Sequence, residues 1–470
     1  MNIKKLRLII ATCLLLATGA AHSTTPKYIF YMIGDGMGIS HVQALRSYFK
    51  ATHDSLARDT HFFDFPVASF ITTYSFDSDV TDSAAAGTAL ACGSKTRNGM
   101  IGMNADSIAL TSVAHHLKDA GLGVAIISSV CLDDATPAAF YANNISRGSY
   151  YNIAQQGAAS LFDFMAGAYF RDPYGKRAKT PGNVFADYDK AGYSIVRGSN
   201  GYRDAMERDA QRILWLDNDT TTENRIGYAI DGPIDDVTLP LMVRSGIDFL
   251  YQKYPQGFFM MAEGGAIDHM GHGNDAAGVV CEIREFDAAI REAYNFYLQH
   301  PDETLIIVTA DHETGGLGLA VNNIYALYMS RIDHATISKN EFGSALKSMF
   351  KAKGQSISWD DVRTFMVEKL GLGNEIAITT TEEEGLRNDF EAVINDRGVN
   401  VKTLYAAYDQ LTNNIFALYS QKLGMGWSTS GHSAAPVPLF VIGAGAERFA
   451  GQGWLDNTDI PRIITELSSK

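Results

Sequence analysis

Short apolar runs alternate with amphipathic stretches along most of the chain. The apolar runs are rich in β-branched and aromatic residues and predict strands at residues 28–33, 67–74, 124–130, 257–262, 304–309 and 437–442. Between them, apolar residues at helical spacing predict helices at residues 108–120, ended by Gly121, and at residues 280–298. This order is typical of parallel strands covered by helices. We therefore predict an α/β fold with a large central, mostly parallel sheet flanked by helices on both faces.

Two intervals depart from this alternation. Residues 321–425 are predicted to be mainly helical, because two Ser/Thr–acid pairs have the spacing of capping boxes and residues 401–423 repeat apolar side chains every three or four positions. The two pairs are Ser358 with Asp361 and Thr381 with Glu384. We interpret this interval as an inserted cap or crown. Residues 150–235 mix Gly, Asp, Arg and Tyr and are expected to form peripheral loops and short elements.

The first residues have the pattern of a secretory signal peptide. Three basic side chains precede an apolar run at residues 8–17, and small and polar residues follow it. No later stretch approaches the roughly 20 apolar residues that a membrane-spanning helix needs. We predict a signal peptide at 1–23, a catalytic core at 24–320, the helical insertion at 321–425 and the rest of the core at 426–470. The protein is expected to be exported, either periplasmic or secreted.

Removal of the predicted signal peptide leaves a markedly acidic chain. The 470-residue sequence has a formal net charge of −14, and without residues 1–23 it has 36 basic and 53 acidic side chains, a net charge of −17. This charge disfavours nucleic acid and anionic membranes as partners. The remaining cysteines, Cys92, Cys131 and Cys281, allow at most one disulfide, which excludes a disulfide scaffold.

Polar side chains follow the ends of four predicted strands. They are Asp35, Asp134 with Thr136, Glu263, and Asp311 with His312. Because ligands of open α/β sheets bind outside the carboxyl ends of the strands, we expect these side chains to converge. Asp268 and His272, four residues apart, and His432 are further candidates for the same site.

These residue types favour divalent metal ions. Imidazole binds zinc well, whereas carboxylates, hydroxyls and water suit magnesium. Five carboxylates brought together without metals would repel one another, and three divalent cations would remove that repulsion. With these cations, a serine alkoxide and a nearby arginine, the site would be net positive within an acidic protein. It could therefore bind an anion.

Ser83 is the candidate nucleophile. It follows Asp82 at the start of a small-residue helix, in the sequence TDSAAAG at residues 81–87. A serine needs a neighbouring base, a helix amino terminus or a metal to react as the alkoxide, and a helix amino terminus favours an anion. An Asp-Ser pair before an alanine run is also an ordinary helix cap, so this segment alone leaves both interpretations open.

Six motifs in this order resemble those of the alkaline phosphatase family. They are IGDGMG at 33–38, TDSAAAG at 81–87, DATPAA at 134–139 followed by Arg147, EGGAIDH at 263–269, TADHETGG at 309–316, and Gly431 with His432. They span nearly the whole chain after the predicted signal peptide, although residues 150–235 and 321–425 match only loosely. The resemblance implies a phosphomonoesterase that releases inorganic phosphate from phosphate monoesters, two Zn²⁺ and one Mg²⁺ per chain, and a homodimer.

The resemblance also implies a role for each candidate residue. One zinc would be held by Asp268, His272 and His432, and a second zinc by Asp35, Asp311 and His312. Magnesium would be held by Asp35, Thr136 and Glu263, with Asp134 acting through bound water. Arg147 would bind two phosphate oxygens, Asp82 would orient Arg147 or cap the helix, and His269 would contact the phosphate rather than a metal.

In the mechanism that the resemblance implies, Ser83 attacks phosphorus as an alkoxide, its pKa lowered by the second zinc. The first zinc neutralises the departing alkoxide, and phospho-Ser83 is then hydrolysed. Family members vary at the positions of Asp134 and His269, so zinc in place of magnesium at the third site stays an alternative.

Three other functions fit parts of the sequence. A phosphodiesterase or sulfatase of the same superfamily is one alternative. A sulfatase would be expected to have Pro and Arg after the nucleophile, which Ser83 lacks, and a diesterase would not be expected to retain both Arg147 and the third-metal residues. A non-catalytic metal- or phosphate-binding protein would be expected to lack the nucleophile. The glycines at 34, 36 and 38 suggest a dinucleotide loop, but the third falls one position early and Asp35 would repel a pyrophosphate.

The remaining histidines are interpreted as surface or hydrogen-bonded residues rather than ligands. They are His41, His53, His61, His115, His116, His300 and His334. Cys131, just before the Asp134 motif, is interpreted as a buried packing residue.

Overall fold

A ten-stranded sheet runs through the molecule. The computed structural model describes residues 25–52, 60–217, 225–232, 237–395 and 398–468, and the predicted signal peptide lies outside these ranges. The sheet strands are β1 (Tyr28–Ile33), β2 (Val67–Thr72), β3 (Gly123–Ser128), β4 (Phe164–Gly167), β5 (Ser194–Arg197), β6 (Ile213–Leu216), β7 (Phe258–Glu263), β8 (Thr304–Thr309), β15 (Val437–Gly443) and β16 (Trp454–Asp456). Shorter strands are β9 (Glu313–Thr314), β10 (Leu317–Leu319), β11 (Asn400–Lys402), β12 (Ala407–Asp409), β13 (Met425–Trp427) and β14 (His432–Ser433).

The strand order in the large sheet is β16-β2-β15-β8-β1-β7-β3-β4-β6-β5. All neighbouring pairs are parallel except those of β15, which pairs antiparallel with both β2 and β8. The sheet is therefore mostly parallel, with a single reversed strand among those that the structure describes. The predicted fold class is confirmed.

The α-helices account for most of the remaining regular structure. They are α1 (Ile39–Thr52), α2 (Ser83–Cys92), α3 (Val113–Asp119), α4 (Ala135–Ala138), α5 (Tyr150–Ser160), α6 (Val184–Lys190), α7 (Gly198–Glu207), α8 (Leu239–Lys253), α9 (Ala266–Gly273), α10 (Ala276–Gln299), α11 (Lys339–Lys353), α12 (Trp359–Leu370), α13 (Thr380–Ile394), α14 (Gln410–Leu423) and α15 (Asp459–Ser468). Short 3₁₀ turns lie at Phe62–Asp64, Ala229–Asp231, Met329–His334, Gly354–Ser356 and Ala446–Phe449.

The central strands β1, β3, β7 and β8 are buried at every position. Successive side chains of a strand point to opposite faces of the sheet, so complete burial means that both faces are covered. This explains why the sequence shows continuous apolar runs here rather than an alternation of apolar and polar residues. Because both faces of the sheet are covered, polar side chains can cluster at the ends of its strands.

The predicted strands agree with the structure to within two residues at each end. The helix predicted at residues 280–298 is present and longer, at Ala276–Gln299, whereas the other predicted helix is shorter than expected. The helix predicted at residues 108–120 is confined to Val113–Asp119. Ser112 caps it, accepting a hydrogen bond from the backbone N–H of His115, and Ile108 is exposed. The apolar residues before Ser112 therefore belong to a loop whose spacing imitates a helix. Gly121 follows the helix end with a φ of +90°, as expected of a residue that stops a helix.

The interval 150–235 contributes strands to the main sheet as well as peripheral elements. Its short strands β4, β5 and β6 extend the main sheet in parallel register beyond β3. Each has only four residues, which is too short to stand out from the surrounding Gly, Asp and Tyr residues in the sequence. The expectation of loops and short elements was incomplete in this respect.

The interval 321–425 is mainly helical, but two details of the prediction were wrong. The cap box at Ser358 and Asp361 is present, whereas the second box is formed by Thr379 and Glu382 rather than by Thr381 and Glu384. Residues 401–409 form an antiparallel hairpin, β11 with β12, and α14 begins only at Gln410 because Asp409 caps it. The alternating residues of this hairpin had been included in a longer helix.

Candidate active site

The carboxyl ends of three adjacent strands bring the first acidic residues together. Asp35 follows β1, Glu263 ends β7, and Asp311 with His312 follows β8. The residues before β15 reach the same edge, because β15 runs in the opposite direction. His432 in β14 pairs with Thr314 of β9, which places its ring beside the residues that follow β8.

One group of potential ligands combines Asp268, His272 and His432. Helix α9 places Asp268 and His272 one turn apart, with 3.4 Å between His272 Nε2 and Asp268 Oδ2. His432 Nε2 lies 3.2 Å from His272 Nε2 and 3.8 Å from Asp268 Oδ1. The three residues predicted to hold one zinc therefore converge.

A second group combines Asp35, Asp311 and His312. The Nε2 atom of His312 lies 3.2 Å from Asp311 Oδ2 and 3.4 Å from Asp35 Oδ1. Asp311 Oδ1 accepts hydrogen bonds from the backbone N–H groups of Gly36 and His312, at 3.1 and 2.8 Å. Gly36 also allows Asp268 to lie close to this loop, since its φ is +75° and a Cβ atom there would lie 2.9 Å from Asp268 Cα.

The two groups adjoin. Ligand atoms of Asp268, His312 and His432 also lie within 4.8 Å of one another, as do those of Asp35, Asp311 and His312. The rings of His312 and His432 stack with centroids 3.6 Å apart. His312 thus stands at the boundary between the two groups.

All three histidines present Nε2 to the centre of the site. His272 Nδ1–H donates to the Ser430 carbonyl at 2.6 Å, and His432 Nδ1–H donates to the Thr81 carbonyl at 2.8 Å. His312 Nδ1 lies 3.2 Å from the Thr314 hydroxyl, which itself donates to Asp268 and so accepts from the ring. An imidazole whose Nδ1–H is held in this way presents the Nε2 lone pair to a metal.

The electrostatics of the carboxylates also fit bound cations. Burial raises the pKa of Asp35 well above its usual range, and repulsion by Asp311 adds to this effect. Burial likewise raises the pKa of Glu263 to about 8 and that of Asp311 to about 7. Burial opposes ionisation of Asp268 as well, but the surrounding histidines lower its pKa overall. Buried carboxyls of this kind ionise readily only with a cation nearby.

The residues predicted for a third ion lie behind the second group. Thr136 Oγ1 is 3.4 Å from Asp35 Oδ2 and 3.5 Å from Asp311 Oδ2. One carboxylate oxygen of Glu263 accepts a hydrogen bond from the Ser128 hydroxyl. Within the described ranges, Asp35 Oδ1 and Glu263 Oε1 are buried without a hydrogen-bond partner. Oxygens in this condition fit a hard cation such as magnesium.

Ser83 lies at the first position of α2 and touches the second group. Its hydroxyl oxygen is 3.1 Å from His312 Nε2, and the residue is 1% exposed. The small side chains after it allow α2 to pack closely, with Gly87 against the backbone of Thr136. The helix therefore directs its amino terminus and Ser83 at the candidate metal ligands.

Asp82 both caps α2 and binds Arg147, the two roles that the sequence left open. Its carboxylate caps α2 by accepting from the backbone N–H of Ala85 at 3.0 Å, and it also accepts from Gly99 at 3.0 Å. The same carboxylate accepts from Arg147 Nη1 at 3.1 Å, while Arg147 Nη2 donates to Asp134 Oδ1 at 3.2 Å. Arg147 is thus held between two acids next to Ser83.

Arg171 is a site residue that the sequence analysis missed. Its guanidinium donates to Asp134 Oδ2, and its backbone N–H donates to both oxygens of Asp133 at 3.0 and 2.9 Å. Burial opposes ionisation of Asp134, but Arg171 and Arg147 lower its pKa to about 2. Arg171 follows β4, so recognition of that strand would have marked it by the same rule that marked Asp35.

Tyr405 is a second residue that was missed. It comes from the insertion, and its hydroxyl donates to Asp268 Oδ2 at 3.1 Å. Thr314 donates to the other oxygen of Asp268. The sequence contains no signal for Tyr405, because it lies in a segment that matched no motif and was assigned to a helix.

His269 lies at the rim of the site and outside both metal groups. Its ring centroid is 3.9 Å from that of Tyr405, and its Nδ1 is 3.4 Å from the Tyr228 hydroxyl. Burial lowers the pKa of His269 to about 4. It is therefore a neutral imidazole near neutral pH, able to offer a hydrogen bond.

The other histidines within the described ranges lie outside the two ligand groups. His41 accepts from the Gly38 backbone N–H, and His61 pairs with Asp287 at 2.7 Å. His53 lies outside the described residues. Cys92 and Cys281 are free thiols, and Cys131 is buried as expected.

The comparison with protein families matches nearly the whole chain. The family model of alkaline phosphatase matches residues 26–168 and 169–469. The chain belongs to the alkaline phosphatase family. It is therefore a phosphatase, a metal-binding hydrolase whose family acts on phosphate monoesters and releases phosphate.

Individual members of the alkaline phosphatase family resemble the chain over most of its length. Alkaline phosphatase 3 of Bacillus subtilis is 29% identical over 446 residues, covering 93% of this chain and 88% of the relative. The crystal structure of a cold-active alkaline phosphatase from Shewanella sp. is 27% identical, with a TM-score of 0.76, and the match covers 94% of this chain and 100% of the other. The alkaline phosphatase of Thermus thermophilus shares the fold at 24% identity, with a TM-score of 0.75 and 96% and 94% coverage.

None of the helices within the described ranges combines enough length with enough apolar character to cross a membrane.

Proposed function

We propose that the protein hydrolyses phosphate monoesters through a covalent phospho-Ser83 intermediate, with two Zn²⁺ and one Mg²⁺ per chain. The observation that carries the proposal is the position of Ser83. Its hydroxyl is at the amino terminus of α2 and 3.1 Å from His312 Nε2, directly beside both ligand groups. Asp82, not Ser83, caps α2, and the Ser83 hydroxyl instead approaches a candidate metal ligand 229 positions away in sequence.

The proposed ligands are those that the geometry brings together. Asp268, His272 and His432 would hold one zinc, Asp35, Asp311 and His312 the second, and Asp35, Thr136 and Glu263 the magnesium. When bound, these cations would lower the pKa of the attacking hydroxyl and offset the negative charge on the attacking and leaving oxygens. Zinc suits the imidazole-containing groups, and magnesium suits the all-oxygen group.

The residues around Ser83 would then position the phosphate. Arg147 can turn its planar guanidinium from Asp82 and Asp134 towards two phosphate oxygens. The N–H groups at the start of α2 favour the negative charge on the same phosphate. His269 would donate a hydrogen bond from the rim. A terminal phosphate offers the oxygens that Arg147 needs, so a monoester fits this arrangement better than a diester.

The test replaces Ser83 with alanine. We expect Ser83→Ala to abolish acid-stable labelling of the protein by radioactive phosphate and to lower kcat for an aryl phosphate by about 10³-fold or more. Metal analysis of the same variant should still find three ions per chain. Ser94→Ala, near the other end of α2, is the matched control and should keep both labelling and turnover.

The following outcomes would contradict parts of the proposal. Undiminished turnover by Ser83→Ala would exclude the covalent route through this residue. Activity that survives prolonged chelation, or that does not return when zinc plus magnesium are added back, would exclude the metal assignment. Faster hydrolysis of an aryl diester than of the monoester would favour the phosphodiesterase alternative.

We further propose that the protein is exported and dimeric. The signal-peptide pattern of residues 1–23 supports export, and family resemblance supports a homodimer with the insertion 321–425 as its crown. Cell fractionation tests the first statement, with the mature amino terminus read by mass spectrometry. Light scattering of the purified protein tests the second, and a monomer mass would contradict it.

A further inference from the structure

The insertion contributes a hairpin tip to the catalytic edge of the sheet. Strands β11 and β12 pair over Asn400–Lys402 and Ala407–Asp409, and Tyr405 lies in the loop between them. The loop is closed by the Thr403 N–H donating to the Ala406 carbonyl at 2.8 Å, and by the Ala406 N–H donating to the Thr403 hydroxyl at 3.1 Å. These bonds fix the backbone on both sides of Tyr405.

The base of the same hairpin is anchored to the insertion. The hydroxyl of Tyr408 donates to the side chain of Asn340 in α11. Asp409 caps α14, accepting from the Thr412 N–H at 2.8 Å. A tip held in this way keeps one position relative to the helices beneath it, so the contact that Tyr405 makes is a fixed feature of the fold.

Tyr405 contacts both a cavity and the first ligand group. It is one of the residues that line a cavity of about 830 Å³, together with Asn340 and Tyr408. Its ring packs on His269 at 3.9 Å and meets the ring of His272 edge-on at 5.2 Å. Its hydroxyl reaches Asp268 Oδ2 at 3.1 Å.

The carboxylate of Asp268 is consequently held at both oxygens by hydroxyl donors. Thr314 of the core strand β9 donates to Oδ1, and Tyr405 of the insertion donates to Oδ2. A carboxylate held by two donors cannot rotate freely, and its remaining lone pairs keep a fixed direction. Partners that orient a metal ligand in this way commonly contribute 10- to 100-fold to metal affinity.

We propose that Tyr405 is a positioning residue, through which the insertion fixes Asp268 for zinc binding. This inference rests on the proposed zinc group of Asp268, His272 and His432. It gives the insertion a part in assembling the catalytic centre, since the core alone would hold only one of the two carboxylate oxygens. Loss of the Tyr405 hydroxyl should weaken zinc binding while leaving Ser83 and Arg147 in place.

The experiment compares Tyr405→Phe with Tyr408→Phe in the full chain. Each substitution removes one hydroxyl from the same hairpin and keeps the ring, but only Tyr405 touches Asp268. Zinc affinity is measured by competition with a chromogenic chelator, and activity is measured against free zinc. We expect Tyr405→Phe to weaken zinc binding and to shift the zinc midpoint of activity upwards by about 10-fold. Its kcat at saturating zinc should lie within about threefold of wild type. Tyr408→Phe should weaken zinc binding far less, because the Thr403 and Ala406 hydrogen bonds and the Asp409 cap still hold the tip.

A third variant separates this inference from the proposed function. Asp268→Asn should lose one tightly bound zinc, and retention of all zinc by that variant would overturn the metal assignment itself. If Asp268→Asn loses zinc but Tyr405→Phe binds zinc as tightly as wild type, the role of Tyr405 alone is overturned. Equal weakening by Tyr405→Phe and Tyr408→Phe would also overturn it, because the effect would then belong to the hairpin as a whole.

Discussion

At the scale of single residues, Asp134 is the junction between two arginines. Arg147 donates to one of its oxygens and Arg171 to the other, and the Ala135 N–H adds a third donor at 2.8 Å. The Asp134 carboxylate therefore forms ion pairs with two arginines. Arg147 can turn towards phosphate, whereas Arg171 lies against the ring of Tyr150, 5.3 Å from its centroid. The positive charge of Arg171 weakens the attraction between Asp134 and Arg147.

Arg171→Gln tests this division of charge. With Arg171 removed, Asp134 would attract Arg147 alone, and Arg147 would leave the protein carboxylates less readily for phosphate. We expect the inhibition constant of inorganic phosphate to rise by about fivefold, close to 1 kcal/mol, as for one charge-assisted hydrogen bond. Competitive inhibition against an aryl phosphate measures it.

The control for this substitution is Arg177→Gln. Arg177 is an exposed arginine six positions further along the same segment, and its backbone N–H bonds Asp172. It should leave phosphate affinity unchanged. Tighter phosphate binding by Arg171→Gln would contradict the proposed effect of Arg171 on Arg147.

At the scale of elements, the start of α13 depends on a cap that is displaced from the expected one. Thr379 accepts from the Glu382 N–H at 3.2 Å, and the Glu382 carboxylate accepts from the Thr379 N–H at 2.7 Å. Glu382 also pairs with Lys422 of α14 at 2.8 Å. The cap therefore ties the start of one insertion helix to the end of another.

We expect Thr379→Ala to lower the free energy of unfolding by about 1 kcal/mol, the usual contribution of an N-cap hydroxyl. Thr381→Ala, two residues later on the exposed surface of the helix, should change it by less than about 0.5 kcal/mol. Urea denaturation followed by circular dichroism compares the two. Equal effects, or a larger effect of Thr381→Ala, would contradict the cap seen in the structure.

Much of the fold and the site was readable from the sequence wherever the local pattern was long. The fully buried strands β1 and β8 were predicted with their bounds, because burial on both faces gives a continuous apolar run. The residues after these strands, such as Asp35 and Asp311, followed from the rule that parallel strands share one carboxyl edge. Their mutual distances and pKa shifts then required the structure.

The parts that were missed depend on contacts distant in sequence. Strands β4 to β6 have four residues each, and they are strands because they pair with an existing sheet edge. Arg171 was missed together with β4, which precedes it. Tyr405 acts on Asp268 across 137 positions, from a hairpin whose apolar spacing resembles that of a helix. No local pattern records a contact of this kind.

At the scale of the whole molecule, the buried acidic cluster connects stability with metal content. Burial raises the folded-state pKa of Glu263 to about 8 and of Asp311 to about 7. The unfolded values are near 4. Metal-free folded protein therefore keeps protons that the unfolded chain has already released, so stability falls as pH rises towards these folded values and then levels off.

Between pH 6.5 and 8.5 we expect the Tm of the chelated protein to fall by on the order of 5 °C. The Tm of protein loaded with zinc and magnesium should change much less, because cations favour the ionised carboxylates. Scanning calorimetry with and without chelator measures this. Glu263→Gln removes one of the titrating groups and should flatten the chelated profile. Parallel profiles for metal-free and loaded protein would contradict the explanation.

The reversed strand β15 determines the order in which parts of the site can form while the chain is being synthesised. It lies between β2 and β8, so β2, made early, can join the sheet only after β15 has been made. The His432 ring, just before β15, closes on the Thr81 carbonyl across 351 positions. Ribosomes deliver the chain from its amino terminus, and contacts of such range form late. A nascent chain that stops before His432 contains Ser83 but lacks one of the proposed zinc ligands. Under the proposed mechanism, it cannot hydrolyse phosphate esters until translation has passed that point.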